Sequence, residues 1–331
     1  MRCAVIGAGA WGTALADLLA TNGADVTLWA LERDVAATIN ARHENPRFLP
    51  GASLSPAVEA TNDLGIALES AALVVYAVPS AHLRSVVRSG APHVARDAIL
   101  VVATKGIEQQ SLALMTDVVE AEVRGRPVVA VSGPSFAAEV VARQPTAVVA
   151  ASRDVLAAQH VQEAMSSATF RVYTHDDVVG VELGGSLKNV MAVATGIAEG
   201  VGLGVNSRAA LITRGLAEMT RLGIALGAQE GTFAGLAGIG DLVLTCTGAL
   251  SRNRAVGVAI GKGATLAQAL AGKETVAEGV ATAQSARELA HREGIEMPIV
   301  ETVHRVLFES YPAHQSVIAL MSRELRAERD A

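Results

Sequence analysis

The chain has 331 residues, half of them hydrophobic and 18% charged, with a formal net charge of −6 and only 3% aromatic residues. That length suits about two domains, each able to bury its own core. The acidic balance and the scarcity of stacking side chains argue against a nucleic-acid or anionic-membrane partner, so a phosphorylated ligand must be drawn in by a local cationic pocket.

In chain order, the first element is an apolar strand, Arg2–Ile6, which runs into Gly7-Ala8-Gly9-Ala10-Trp11-Gly12 and then a helix over roughly Gly12–Ala20. Gly7 permits the tight turn, Gly9 lets backbone approach a pyrophosphate, and Gly12 lets the helix pack closely on the strand. The free N–H groups and macrodipole at that helix start favour an anion, which is how dinucleotides are bound. A second strand, Ala24–Ala30, follows, and Glu32 lies about twenty residues past Gly12, where an acid can bind the adenosine ribose hydroxyls. Further apolar runs at Leu73–Val78, Ala98–Ala103, Val128–Val131 and Thr146–Ala150 alternate with helical patterns. Runs apolar at nearly every position suit strands covered on both faces, which predicts a doubly wound parallel α/β sheet of Rossmann type.

After Thr174-His175-Asp176-Asp177 the pattern changes to helices: Val178–Gly200, Ser207–Leu226, Ser251–Gly261, Ala264–Ala271, Glu278–Glu293, Pro298–Glu309 and His314–Arg326. The expected organisation is a dinucleotide-binding domain over residues 1–175 and an all-α domain for substrate and dimerisation over residues 176–331. Cys3 and Cys246 are the two cysteines, far apart in apolar runs, and read as buried thiols. No apolar run approaches the length of a membrane span and no leader pattern is present, so a reducing cytoplasm is expected.

Lys188 stands in a helical stretch that is apolar on most sides, and its side chain leans over a turn containing Gly184 and Gly185. Two glycines there predict open space above a partly desolvated ammonium, whose lowered pKa suits proton transfer; a lysine snorkelling from a core helix fits the same residues. Lys105 follows a central strand. Gly133-Pro134-Ser135 opens what reads as another helix, with backbone N–H groups to offer an oxygen anion. Asp241 follows Gly238-Ile239-Gly240 and suits either a site or a turn cap. Ser251 is a plausible N-cap, with Arg252 and Asn253 beside it; the set fits a phosphate site, but the segment alone better fits a capped helix with a solvated arginine. The eight histidines show no pairing or clustering with cysteine, and no metal is assigned.

Taken together, Gly7–Gly12, His43-Glu44-Asn45 with Phe48-Leu49-Pro50, Val78-Pro79-Ser80, Thr104-Lys105-Gly106, Ser132-Gly133-Pro134-Ser135, Gly185-Ser186-Leu187-Lys188-Asn189, the block Leu211–Leu226, Gly240-Asp241-Leu242 and Ser251-Arg252-Asn253 resemble the NAD(P)-dependent glycerol-3-phosphate dehydrogenases of bacterial type, in order and over nearly the whole chain. The resemblance implies interconversion of sn-glycerol 3-phosphate and dihydroxyacetone phosphate for phospholipid synthesis, with NAD or NADP as cofactor, by a homodimer. It implies that Lys188 is the general acid/base, that Lys105 touches cofactor and substrate, and that Asp241 holds the lysine. Gly133, Ser135, Asn189, Asp241, Ser251, Arg252 and Asn253 would line the substrate pocket. Trp11, Ala137, Arg252, Val276 and Glu278 would join Gly7, Gly9, Ala10 and Gly12 around the dinucleotide. One departure concerns Leu31-Glu32, where many bacterial members carry basic or imidazole side chains. A carboxylate there accepts from a 2′-hydroxyl and repels a 2′-phosphate, so good use of NADH is expected.

Overall fold

A computed structural model describes residues 1–272, 277–322, 324, 325, 327 and 328. The strands are β1 (Arg2–Ile6), β2 (Asp25–Trp29), β3 (Glu44–Asn45), β4 (Leu49–Ser53), β5 (Val58–Thr61), β6 (Leu73–Tyr76), β7 (Ile99–Val102), β8 (Val128–Ser132), β9 (Thr146–Ala151) and β10 (Phe170–His175). Helices α1 (Ala10–Thr21), α2 (Arg33–Arg42), α3 (Leu64–Leu68), α4 (Ser80–Gly90), α5 (Met115–Glu122), α6 (Ala137–Val141) and α7 (Val155–Met165) lie between them. The remainder is helical: α8 (Val178–Gly200), α9 (Val205–Ala225), α10 (Glu230–Phe233), α11 (Asp241–Thr247), α12 (Arg252–Gly261), α13 (Leu266–Leu270), α14 (Glu278–Glu293), α15 (Pro298–Phe308) and α16 (Ala313–Met321).

Eight strands form one sheet in the order β10-β9-β8-β7-β6-β1-β2-β5, and β3 pairs with β4 in a separate hairpin. The sheet is parallel except at β8 and β9, which run antiparallel. This corrects the fully parallel expectation, and the reason is plain: a run apolar on both faces, such as Thr146–Ala151, reads the same in either direction. β5 and β10 were not expected as strands. Both alternate buried and exposed residues, the pattern of an edge strand with one face in water, so neither shows the continuous apolar run that marks an interior strand.

α8 begins and ends at the predicted residues, capped by Asp177, whose carboxylate accepts from Gly180 N at 2.9 Å. Nearly all of it is buried, which makes it the axis of the helical half. α12 packs along it through glycines. A Cβ on Gly196 would come within 2.2 Å of the Arg254 carbonyl oxygen, and one on Gly257 within 2.2 Å of the Val193 carbonyl oxygen. Backbones at that distance leave no room for side chains, so the start of α12 is held in a fixed place relative to the middle of α8.

The two halves are joined by buried polar contacts. Glu182 of α8 accepts from Thr116 N at 2.9 Å and Thr116 Oγ1 at 2.5 Å at the start of α5. Ser186 Oγ accepts from Gly106 N at 2.9 Å. Burial pushes the Glu182 carboxyl up to about 7, against the two hydrogen bonds from Thr116 that favour its charged form.

Candidate active site

β1, β2, β6, β7 and β8 run parallel as neighbours in the sheet, so their carboxyl ends share one edge. Gly7, Glu32, Ser80, Lys105 and Gly133 all follow strands that end there.

Gly7 has a φ of +119° and leads into α1, with its N–H donating to the Trp29 carbonyl at 3.0 Å. A Cβ on Gly12 would fall 1.8 Å from the Gly7 carbonyl oxygen, so only glycine lets the helix come this close to the turn. Gly9 occupies the N-cap position of α1 with no side-chain cap, and a Cβ there would meet nothing within 4 Å. Ala10 and Trp11 open the helix, and the Trp11 indole N–H is buried without a partner. An uncapped helix start facing open space, with an orphaned donor beside it, fits the pyrophosphate of a dinucleotide. Glu32 stands at the N-cap position of α2 beyond β2, with no hydrogen bond from its side chain to that helix. Ala137 is the first residue of α6.

Glu278, the first residue of α14, binds Ser80 twice, accepting from its N–H at 3.1 Å and its Oγ at 2.6 Å. Sequence reasoning gave Ser80 no role, because a serine at a helix start normally signals only a cap. Val276 lies outside the described residues.

At the other side of Lys105 the chemistry is denser. Asp241, fully buried, accepts from Lys105 Nζ at 2.8 Å on Oδ2 and from Lys188 Nζ at 2.5 Å on Oδ1. Burial alone would raise this carboxyl; the two ammonium groups overcome that and hold it below its ordinary value. Lys188 is lowered to about 7, mainly by burial and further by Lys105, with Asp241 opposing. Lys188 is therefore a buried lysine on a carboxylate and not a snorkelling one.

The open space expected above Lys188 is absent. A Cβ on Gly184 would meet the Ala237 carbonyl oxygen at 2.2 Å, and one on Gly185 would meet Ser132 Oγ at 2.4 Å. Gly185 instead admits Ser132 of β8, and Gly184 admits the Leu236–Gly240 π-turn, with its non-helical Gly238, a close approach that delivers Asp241 to Lys188. Nothing in the local pattern around Lys188 reveals which distant segment will fill the notch.

Asn189 follows on α8, and its Oδ1 accepts from Asn253 Nδ2 at 2.9 Å. Asn253 Oδ1 in turn accepts from Gly279 N at 2.9 Å, which links α8, α12 and α14. Ser251 caps α12 by accepting from Arg254 N at 3.2 Å. Arg254 is bound to Glu199 at 2.9 and 3.0 Å, whereas Arg252 is exposed at the first turn of α12. Gly133 has a φ of +144°, and the Lys105 ammonium also reaches its carbonyl at 3.4 Å. Ser135 turns its hydroxyl back to that carbonyl, donating at 2.9 Å. The helix expected to open at Gly133-Pro134-Ser135 starts instead at Ala137. Cys3 and Cys246 are free and buried, and burial raises their thiols to about 11 and about 12.

The chain matches models described as NAD-dependent glycerol-3-phosphate dehydrogenase N-terminus, over residues 2–158, and C-terminus, over residues 177–318. It is 55% identical over 331 residues to glycerol-3-phosphate dehydrogenase (NAD(P)+) of Geobacter sulfurreducens, covering 99% of each chain. With the protein of the same name from Geobacter sp. strain M21 it shares 52% identity over 330 residues, 99% of this chain and 98% of that one. The crystal structure of glycerol-3-phosphate dehydrogenase from Coxiella burnetii is 41% identical and superposes with a TM-score of 0.94, covering 97% of this chain and 99% of that one.

Proposed function

Because the chain belongs to the NAD-dependent glycerol-3-phosphate dehydrogenase family, we infer that Lys188 moves the proton in the family's reaction while Asp241 and Lys105 hold it in place. The protein is an oxidoreductase that interconverts sn-glycerol 3-phosphate and dihydroxyacetone phosphate with NAD or NADP. A bound nicotinamide supplies or takes the hydride at the substrate's C2 carbon. In reduction, protonated Lys188 donates to the C2 oxygen as alkoxide charge develops and stabilises that charge; in oxidation, the neutral amine takes the hydroxyl proton.

One observation carries this reading: Lys188 is buried against a carboxylate that a second lysine also holds, and its pKa is drawn down to about 7. A lysine at its ordinary value rarely releases a proton near neutrality, whereas a value of about 7 suits transfer in either direction. Lys105, less buried than Lys188, would touch both cofactor and substrate. Arg252, exposed at a helix start whose cap is Ser251, would bind the substrate phosphate, with Asn189, Asn253, Gly133 and Ser135 lining the rest. Gly7, Gly9, Ala10, Trp11, Gly12, Ala137 and Glu278 would hold the dinucleotide, and Glu32 its adenosine ribose, favouring NADH. A homodimer is the family expectation, and Val205, Ile224 and Leu250 are exposed apolar residues on the helical half. Two free thiols suit a reducing cytoplasm. Among the described residues, no single helix is long and apolar enough to cross a membrane.

The test is the pH dependence of the two directions. Reduction of dihydroxyacetone phosphate needs the ammonium, so its kcat/KM falls as pH rises through about 7; oxidation of sn-glycerol 3-phosphate needs the amine and rises over the same interval. Parallel profiles in the two directions refute the role of Lys188.

A further inference from the structure

We propose that Asn45 is a positioning residue for the dinucleotide: it sets the peptide plane whose N–H group faces the pyrophosphate. The proposal rests on the reading of Gly7–Gly12 as the dinucleotide turn.

Asn45 lies in the β3–β4 hairpin, outside the main sheet, and is 1% exposed. Its Nδ2 donates to the Ala8 carbonyl and to Thr13 Oγ1, both at 2.8 Å. Thr13, fully buried in α1, donates from Oγ1 to the same Ala8 carbonyl at 3.2 Å. Asn45 Oδ1 accepts from Phe48 N at 3.3 Å, which ties the side chain to its own hairpin. Both amide protons, the hydroxyl proton and both lone pairs of the Ala8 oxygen are thereby used, so the arrangement is a closed set and not a chance contact.

The Ala8 carbonyl and the Gly9 N–H belong to one trans peptide, so the two bonds point in opposite directions. Fixing the oxygen inward on Asn45 and Thr13 aims the Gly9 N–H the opposite way, at the N-cap position of α1, which no side chain caps. Glycine turns otherwise permit that peptide several orientations. The backbone donor is thus preorganised by a side chain 37 residues from Ala8 in sequence.

The experiment compares wild type with Asn45→Ala, Thr13→Val and Thr13→Ser by direct binding. NADH binding is read by fluorescence, ADP-ribose by competition, and folding by thermal melting. We expect dissociation constants for both nucleotides to rise about tenfold in Asn45→Ala and several-fold in Thr13→Val, the scale of losing matched buried hydrogen bonds. Thr13→Ser, which keeps the hydroxyl, stays within about twofold. In turnover assays KM for NADH rises, while kcat at saturating NADH and KM for dihydroxyacetone phosphate are kept within about twofold, a split that general destabilisation does not produce. Nucleotide affinities within twofold of wild type in folded Asn45→Ala overturn the proposal; if that variant does not fold, the same result in Thr13→Val overturns it. Wild-type protein that binds neither nucleotide overturns the dinucleotide reading itself, a result distinct from tight wild-type binding that the substitutions leave untouched.

Discussion

At the end of β1, the proposed anion site is made from six consecutive residues and is mostly backbone: a glycine at φ +119°, an uncapped helix start, and a glycine that no larger residue can replace. Beyond the end of β7, the ammonium–carboxylate–ammonium arrangement is made from three side chains at positions 105, 188 and 241, carried by a loop and two helices. The first would bind by geometry that any sequence with the right glycines can adopt. The second depends on burial, which draws the Lys188 ammonium down to about 7, the property on which its proposed proton transfer rests. Substitutions should therefore separate the two cleanly, with chemistry failing at one and affinity at the other.

The largest separation is expected from Lys188→Met, which keeps most of the length and removes the charge. Turnover should fall by at least about 10²-fold, because proton transfer and alkoxide stabilisation vanish together. NADH affinity, measured by fluorescence titration, should stay within a few-fold. Activity close to wild type would remove Lys188 from the chemistry.

Arg252→Ala comes next. Losing a guanidinium from a phosphate should cost about 30-fold in kcat/KM for dihydroxyacetone phosphate, the equivalent of about 2 kcal/mol. Unphosphorylated dihydroxyacetone should be little affected. Equal fractional losses on both substrates would show that Arg252 does not bind the phosphate.

A smaller effect, of about tenfold, is expected in cofactor choice. Glu32 beyond β2 should favour NADH over NADPH, and Glu32→Arg should reverse the ratio of kcat/KM values. Arg33 is the opposing influence, since a guanidinium swung onto the 2′-phosphate would offset the carboxylate. A wild-type enzyme strongly favouring NADPH, or a ratio unchanged by the substitution, would place Glu32 away from the ribose.

The smallest effect concerns the seam between the two regions. The Glu182 carboxyl is raised to about 7 by burial, so the stability it contributes is present below its unfolded value, near 4.5, and is lost as pH rises through about 7. Glu182→Gln should flatten the fall in Tm over that interval while keeping an acceptor for Thr116. Calorimetric scans from pH 5 to 8 that show the same slope in both proteins would exclude this carboxyl as the source.

Much of this was legible in the chain. The Gly7–Gly12 turn, the interior strands, the capped helix Val178–Gly200 and the capped start of α12 are local features, set by φ/ψ demands, hydrophobic period and capping chemistry within a dozen residues or so. What the sequence alone determined was therefore the inventory: an α/β half followed by a helical half, and the residue types available for binding and proton transfer. Tertiary structure decided the rest. It set the antiparallel direction of β9, the edge strands β5 and β10, the filling of the Gly184–Gly185 notch by the π-turn before Asp241 and by Ser132, and the pairing of Arg254 with Glu199, which leaves Arg252 at the helix start. Each of these joins segments distant along the chain. Local pattern states what each residue tends to do; only the packed fold states how deeply a lysine is buried and which carboxylate it meets, and for Lys188 the burial lowers its pKa while Asp241 opposes the shift.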